Sequence, residues 1–126
     1  MKPIQTPITG DADKEVKSSE VNVKIYAALQ QFYRAFNSQD SELMQKNWLT
    51  SDVSAMDNPL GGIKRGWDEI ESTYRRIFLG EASVYVEFYE YYIVEIEGGF
   101  CAIGREGGRV EGDCEDLERA LRTRRV

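Results

Sequence analysis

The chain contains no histidine. That removes Ser–His and Cys–His nucleophile systems and the imidazole ligands of ordinary zinc sites. It has two cysteines, Cys101 and Cys114, which do not form a thiolate cluster and read as free thiols rather than a bridge. No metal site and no cofactor is expected. No apolar run approaches the roughly 18 residues of a membrane span, and the opening "MKPIQTPITGDADKEVKSSE" lacks the apolar core of a secretory signal. The expectation is a cytoplasmic protein without a membrane partner. Positive charge is also short: 16 Lys and Arg face 22 Asp and Glu, a net charge of −6. That argues against a nucleic-acid partner, which needs a basic surface to displace counterions. The exception is the closing "RALRTRRV", with Arg119, Arg122, Arg124 and Arg125, read as a charged sheet edge or tail, with a local anion site the alternative.

What is present suits one domain. A length of 126 residues with 41% hydrophobic residues supports a real core. Residues 1–18 read as a polar, disordered tail and 19–126 as the domain. Val21, Ile25, Leu29, Phe32 and Phe36 form one apolar stripe, which predicts a helix over 21–36 capped by Ser18 or Ser19 and ended by Asn37 and Ser38. Asp40 caps a second, shorter helix over 41–47, with Leu43, Met44 and Trp48 on its buried side. Residues 52–56 read as extended, broken by Pro59, Gly61 and Gly62. A third helix over 66–78 carries Trp67, Ile70, Tyr74, Ile77 and Phe78 on one face, with Asp68 and Glu69 in its first turn.

After Gly80 the texture changes. "ASVYVEFYEYYIVEIE" is rich in aromatic and β-branched residues and reads as a long strand. Gly98-Gly99 turns it into "FCAIGRE". "GGRVEGD" is a connection or a bulged continuation, and "LERALRTRRV" is read as a third strand. By alternation Tyr85, Glu87, Tyr89 and Tyr91 share one face, directed at a partner, while Val84, Val86 and Phe88 share the core face. The order of elements gives an α+β fold with helices on one side of an antiparallel sheet. A curved sheet around helices encloses an apolar cavity, the default place for a ligand.

Three stretches carry a resemblance to a known group: "YRAFNSQD", "NWLTSDVSAMDNPLGG" and "IKRGWDEIESTYRRIF". The chain from Val21 onward resembles the nuclear transport factor 2-like superfamily, which includes ketosteroid isomerase and SnoaL-type polyketide cyclases. The resemblance implies a cone-shaped curved antiparallel sheet wrapped around three helices in the N-terminal half, a deep pocket and a homodimer; with the tyrosine face of the strand directed at a partner, that homodimer is expected through the sheet face. Similar members carry one further strand beyond the position of "LRTRRV", so the domain is expected to lack it. Matched position by position, the isomerase's general-base aspartate falls on Asn58 and its helix-one tyrosine on Phe32. Neither an amide nor a phenyl ring can do that chemistry. Tyr33, one step of about 100° further round the helix, is expected to face elsewhere.

The expected function is therefore binding of a small apolar or aromatic molecule, with no identifiable activity. Phe32, Trp48, Met56, Asn58, Tyr74 and Cys101 are the expected pocket residues. The alternatives are a SnoaL-like isomerase, cyclase or dehydratase and a dimerising interaction module. The enzyme would use a pocket carboxylate, with Asp57 the best candidate and Glu87 next. Core packing and, for Asp57-Asn58, a strand-end turn are the competing structural explanations. Cys101 itself reads as a small buried strand residue.

Overall fold

The computed structural model describes residues 2–11, 22–57, 62–80 and 83–111. Helix α1 (Val23–Asn37) begins where the Asn22 side chain accepts a hydrogen bond from the Lys24 N–H at 2.9 Å. Asn22, not Ser18 or Ser19, therefore caps it; the two serines lie outside the described residues. The buried face holds Ile25, Gln30, Tyr33, Ala35 and Phe36, with Leu29 and Phe32 partly buried beside it. The burial is centred about one residue away from the expected stripe, so Tyr33 is the inward aromatic and Phe32 flanks it.

Asn37 does more than end this helix. Its side-chain amide donates to Val86 O at 2.8 Å and Thr9 O at 2.9 Å, and its oxygen accepts from Val86 N at 2.8 Å. One side chain thus ties the end of the helix to the long strand and to the N-terminal segment.

Helix α2 (Ser41–Gln45) is capped by Asp40, whose carboxylate accepts from Leu43 N at 3.0 Å, as the sequence predicts. The chain then makes a turn and a short antiparallel pair, β1 (Ala55–Asp57) with β2 (Ile63–Arg65), in register Met56 to Lys64. The second of these strands has too little pattern to be legible in sequence. Helix α3 (Trp67–Leu79) follows Gly66, which sits at a positive φ of 81° that favours glycine. Ile70, Thr73, Tyr74, Ile77 and Phe78 are its buried residues.

The long strand β3 (Ser83–Ile96) pairs with β4 (Gly99–Glu111) as one antiparallel hairpin. "GGRVE" belongs to this return strand and pairs with β3 without a register shift, so it is a continuation rather than a separate connection, and the irregularity lies further along the hairpin. Val84, Val86 and Phe88 are buried, as alternation predicts. The register then shifts between Tyr89 and Tyr92, with Glu90 at a φ of 48°. One inserted residue turns every following side chain to the opposite face. Tyr91 is consequently buried at 0% exposure rather than sharing the outer face with Tyr85, Glu87 and Tyr89. Gly104 accommodates this change: a Cβ there would lie 2.6 Å from Tyr91 Cβ and 2.9 Å from the Phe88 ring.

Part of the expected tail is also docked. Ile4 and Ile8 bridge to Tyr91 and Phe88, with reciprocal backbone hydrogen bonds of 2.8–3.1 Å, and Ile8 is fully buried. Gly10, at a positive φ of 82°, passes so close to α1 that a Cβ would run into the backbone of Arg34. Helix α1 packs on β3, while α3 packs on α2 and on the β1–β2 pair. The Phe36 ring joins these halves, meeting Tyr74 and Phe78 edge-on at 6.4 and 5.7 Å. The architecture is α+β, and the described strands form two separate two-stranded antiparallel sheets. Among the described residues no helix is long and apolar enough to cross a membrane. The third strand expected in "LERALRTRRV" lies outside the described residues.

Candidate functional site

Two polar features stand inside this aromatic interior. The first follows from helix and hairpin register together. Phe88 faces inward and its partner across the hairpin is Glu106, so Glu106 is carried inward too. It is 8% exposed, beneath α1. Tyr33, 4% exposed, donates its phenolic hydrogen bond to Glu106 Oε2 at 2.8 Å. The Tyr33 ring stacks on Phe88 at 5.7 Å and meets Phe32 edge-on at 5.0 Å, and Phe88 stacks in turn on Tyr91 at 5.0 Å. A carboxyl group and a phenol therefore converge within an aromatic wall. One helical turn away, buried Gln30 accepts from Gly10 N at 2.7 Å and donates to Tyr26 Oη at 2.9 Å. It seals the N-terminal segment onto the helix.

The second feature is Trp48, just beyond α2. Its ring lies on Tyr74 at 6.1 Å, and Tyr74 in turn contacts Phe78 at 5.8 Å. Trp48 Nε1 is buried and has no hydrogen-bond partner. It is the one such buried side-chain atom among the described residues.

The expected site residues are thus divided. Trp48 and Tyr74 come together. Met56 is buried at 7% in β1, and Phe32 sits beside Tyr33. Asn58 lies outside the described residues. Cys101 is exposed, contrary to expectation, because its register opposite Val94 puts it on the outer face beyond the bulge. Asp57 is exposed as well: alternation along β1 buries Met56 and turns its neighbour outward. It is therefore not an enclosed acid. Glu87 shares the outer face with Tyr85 and Tyr89, not the interior.

Sequence reasoning missed Tyr33 and Glu106. The available signal was cross-strand register: once Phe88 is inward, the residue paired with it must be inward. A separate surface cleft of about 420 Å³ lies at the start of α3, bordered by Thr50, Asp52, Arg65, Trp67, Asp68 and Glu69. None of the expected pocket residues borders it, and the Glu69 carboxylate there is engaged by Arg65 N at 2.7 Å. Among the described residues no group of three acidic or cysteine side chains could hold a metal ion. No family model matches the chain, and neither a curated protein nor a solved structure matches it.

Proposed function

We propose that this chain is a small-molecule-binding protein of the nuclear transport factor 2-like, SnoaL-like kind. On this reading its sheet curves as a cone around the helices, and an apolar or aromatic ligand lies between α1, α3 and the inner face of the β3–β4 hairpin. The Tyr33–Glu106 pair carries the reading. Ligand sites combine an apolar, aromatic lining with a few placed polar groups. A carboxyl and a phenol at 2.8 Å within the Phe32, Phe88 and Tyr91 wall have that composition. Hydrophobic packing alone gives no reason to put a carboxyl there.

The partner is a second copy, through the outer face of the hairpin. Beyond the bulge that face presents Val94, Ile96 and Ile103 at 43%, 56% and 54% exposure, beside exposed Cys101. Exposed apolar surface of this kind marks an association site. The free Cys101 thiol fits a reducing, cytoplasmic setting.

Thermal unfolding in the presence of steroid-like, polyketide-like and aromatic-acid compounds tests the ligand reading. A binder at a hundred times its Kd adds about 2.7 kcal/mol. Absence of stabilisation by every class would refute it. A second reading, an isomerase, cyclase or dehydratase using a pocket carboxylate, is favoured by the same buried Glu106, now that Asp57 and Glu87 face outward. It requires turnover of a stabilising compound that Glu106→Gln abolishes while binding persists.

A further inference from the structure

An indole N–H can only donate, and native interiors leave very few buried donors unpaired. Trp48 Nε1 is such a donor. The ring around it is only partly buried, so the residue stands at the edge of the interior with its nitrogen shielded. Packing does not call for that nitrogen. A phenyl ring against Tyr74 would complete the same aromatic cluster of Tyr74, Phe36 and Phe78.

We propose that Trp48 Nε1 anchors the ligand by donating to a carbonyl oxygen, which narrows the ligand class to aromatic or alicyclic carbonyl compounds. This rests on the ligand-binding reading above and adds to it the polar group the ligand must carry. A carbonyl oxygen fits better than a hydroxyl, because it accepts without bringing a proton that needs its own partner beside an aromatic ring.

The chain has two tryptophans, Trp48 and Trp67, so its indole N–H NMR signals are two, assigned with Trp48→Phe. The probes are methyl naphthyl ketone and isopropenylnaphthalene, which share a shape but exchange the carbonyl oxygen for a methylene group. The ketone is expected to move the Trp48 signal downfield and leave that of Trp67 in place. It should bind about tenfold more tightly than the olefin. In Trp48→Phe the two probes should bind alike. Equal affinities in the unaltered protein with an unmoved Trp48 signal would overturn the anchor and leave the ligand reading standing. An unmoved signal that exchanges rapidly with solvent would assign the N–H to water and overturn the anchor as well. Failure of both probes to bind would count against both proposals.

Discussion

Removing only the Tyr33 hydroxyl is the most direct perturbation of the buried pair. Tyr33→Phe keeps the ring stacked on Phe88 at 5.7 Å and deletes the donor held 2.8 Å from Glu106 Oε2. Loss of one partner from a buried hydrogen bond costs about 1–3 kcal/mol, because the other partner stays desolvated. Glu106→Met, which leaves the phenol behind, should cost a similar amount. Replacing both partners by apolar groups removes the penalty that each single change exposes. The double variant Tyr33→Phe/Glu106→Met should therefore lose less than the sum of the two, with a coupling of about 1–2 kcal/mol. The cycle is needed because both residues make other contacts as well, and single substitutions report those too. Urea unfolding at constant m-value gives each ΔG; the corresponding Tm changes are roughly 3–6 °C per kcal/mol for a chain of this length. Additivity to within about 0.4 kcal/mol would mean that the groups do not interact, and the candidate site would lose its centre.

Four other outcomes follow from the packing. Gly104→Ala should lower stability by about 1–3 kcal/mol in urea unfolding, since its Cβ meets Tyr91 Cβ at 2.6 Å and the Phe88 ring at 2.9 Å; an unchanged midpoint would contradict the bulge geometry. Ile8→Ala should cost about 2–4 kcal/mol, because Ile8 is fully buried; a neutral result would return residues 2–11 to the status of a loose tail. Asn37→Ala should cost about 2–4 kcal/mol through its bonds to Thr9 and Val86, with hydrogen exchange accelerated at Val86. On the proposed dimer, Ile103→Glu, like Tyr89→Glu, should give monomer in sedimentation analysis without loss of helix content; an unaltered assembly would exclude the outer hairpin face as the interface.

The parts of the fold that sequence made legible are those with a repeated local signal. Asp40 before a short apolar pattern gave α2, Gly66 before an acidic first turn gave α3, and the aromatic and β-branched run gave β3 with Val84, Val86 and Phe88 inward. What was missed depends on a single residue or on distant partners. The bulge adds one residue in "YEYY", where either parity offers an aromatic, so alternation cannot reveal the switch. Its companion signal was Gly104, a residue without a side chain where Phe88 and Tyr91 need room. The N-terminal docking was obscured by Pro3 and Pro7, which lack the N–H groups of a continuous ladder. Ile4 and Ile8 accordingly make isolated bridges. Of the candidate site, Trp48 and Tyr74 were visible as apolar members of their helical patterns. Tyr33 lies one helical step from the apolar stripe through Phe32, and its burial follows from what packs against α1 rather than from the stripe itself.

The same register logic bears on why Glu106 is where it is. Its position opposite Phe88 is one that a leucine or methionine could occupy with more hydrophobic stabilisation and no desolvated carboxyl. Buried polar pairs replaced by well-packed apolar groups are often neutral or stabilising. The Tyr33→Phe/Glu106→Met variant therefore separates two reasons for the pair. If that variant is as stable as the unaltered protein, or more so, packing does not explain the pair, which is the outcome the ligand reading requires. If the cycle shows coupling and the double variant still falls well below the unaltered protein, the pair is a structural tie between α1 and β4, and the ligand reading loses the observation that carries it.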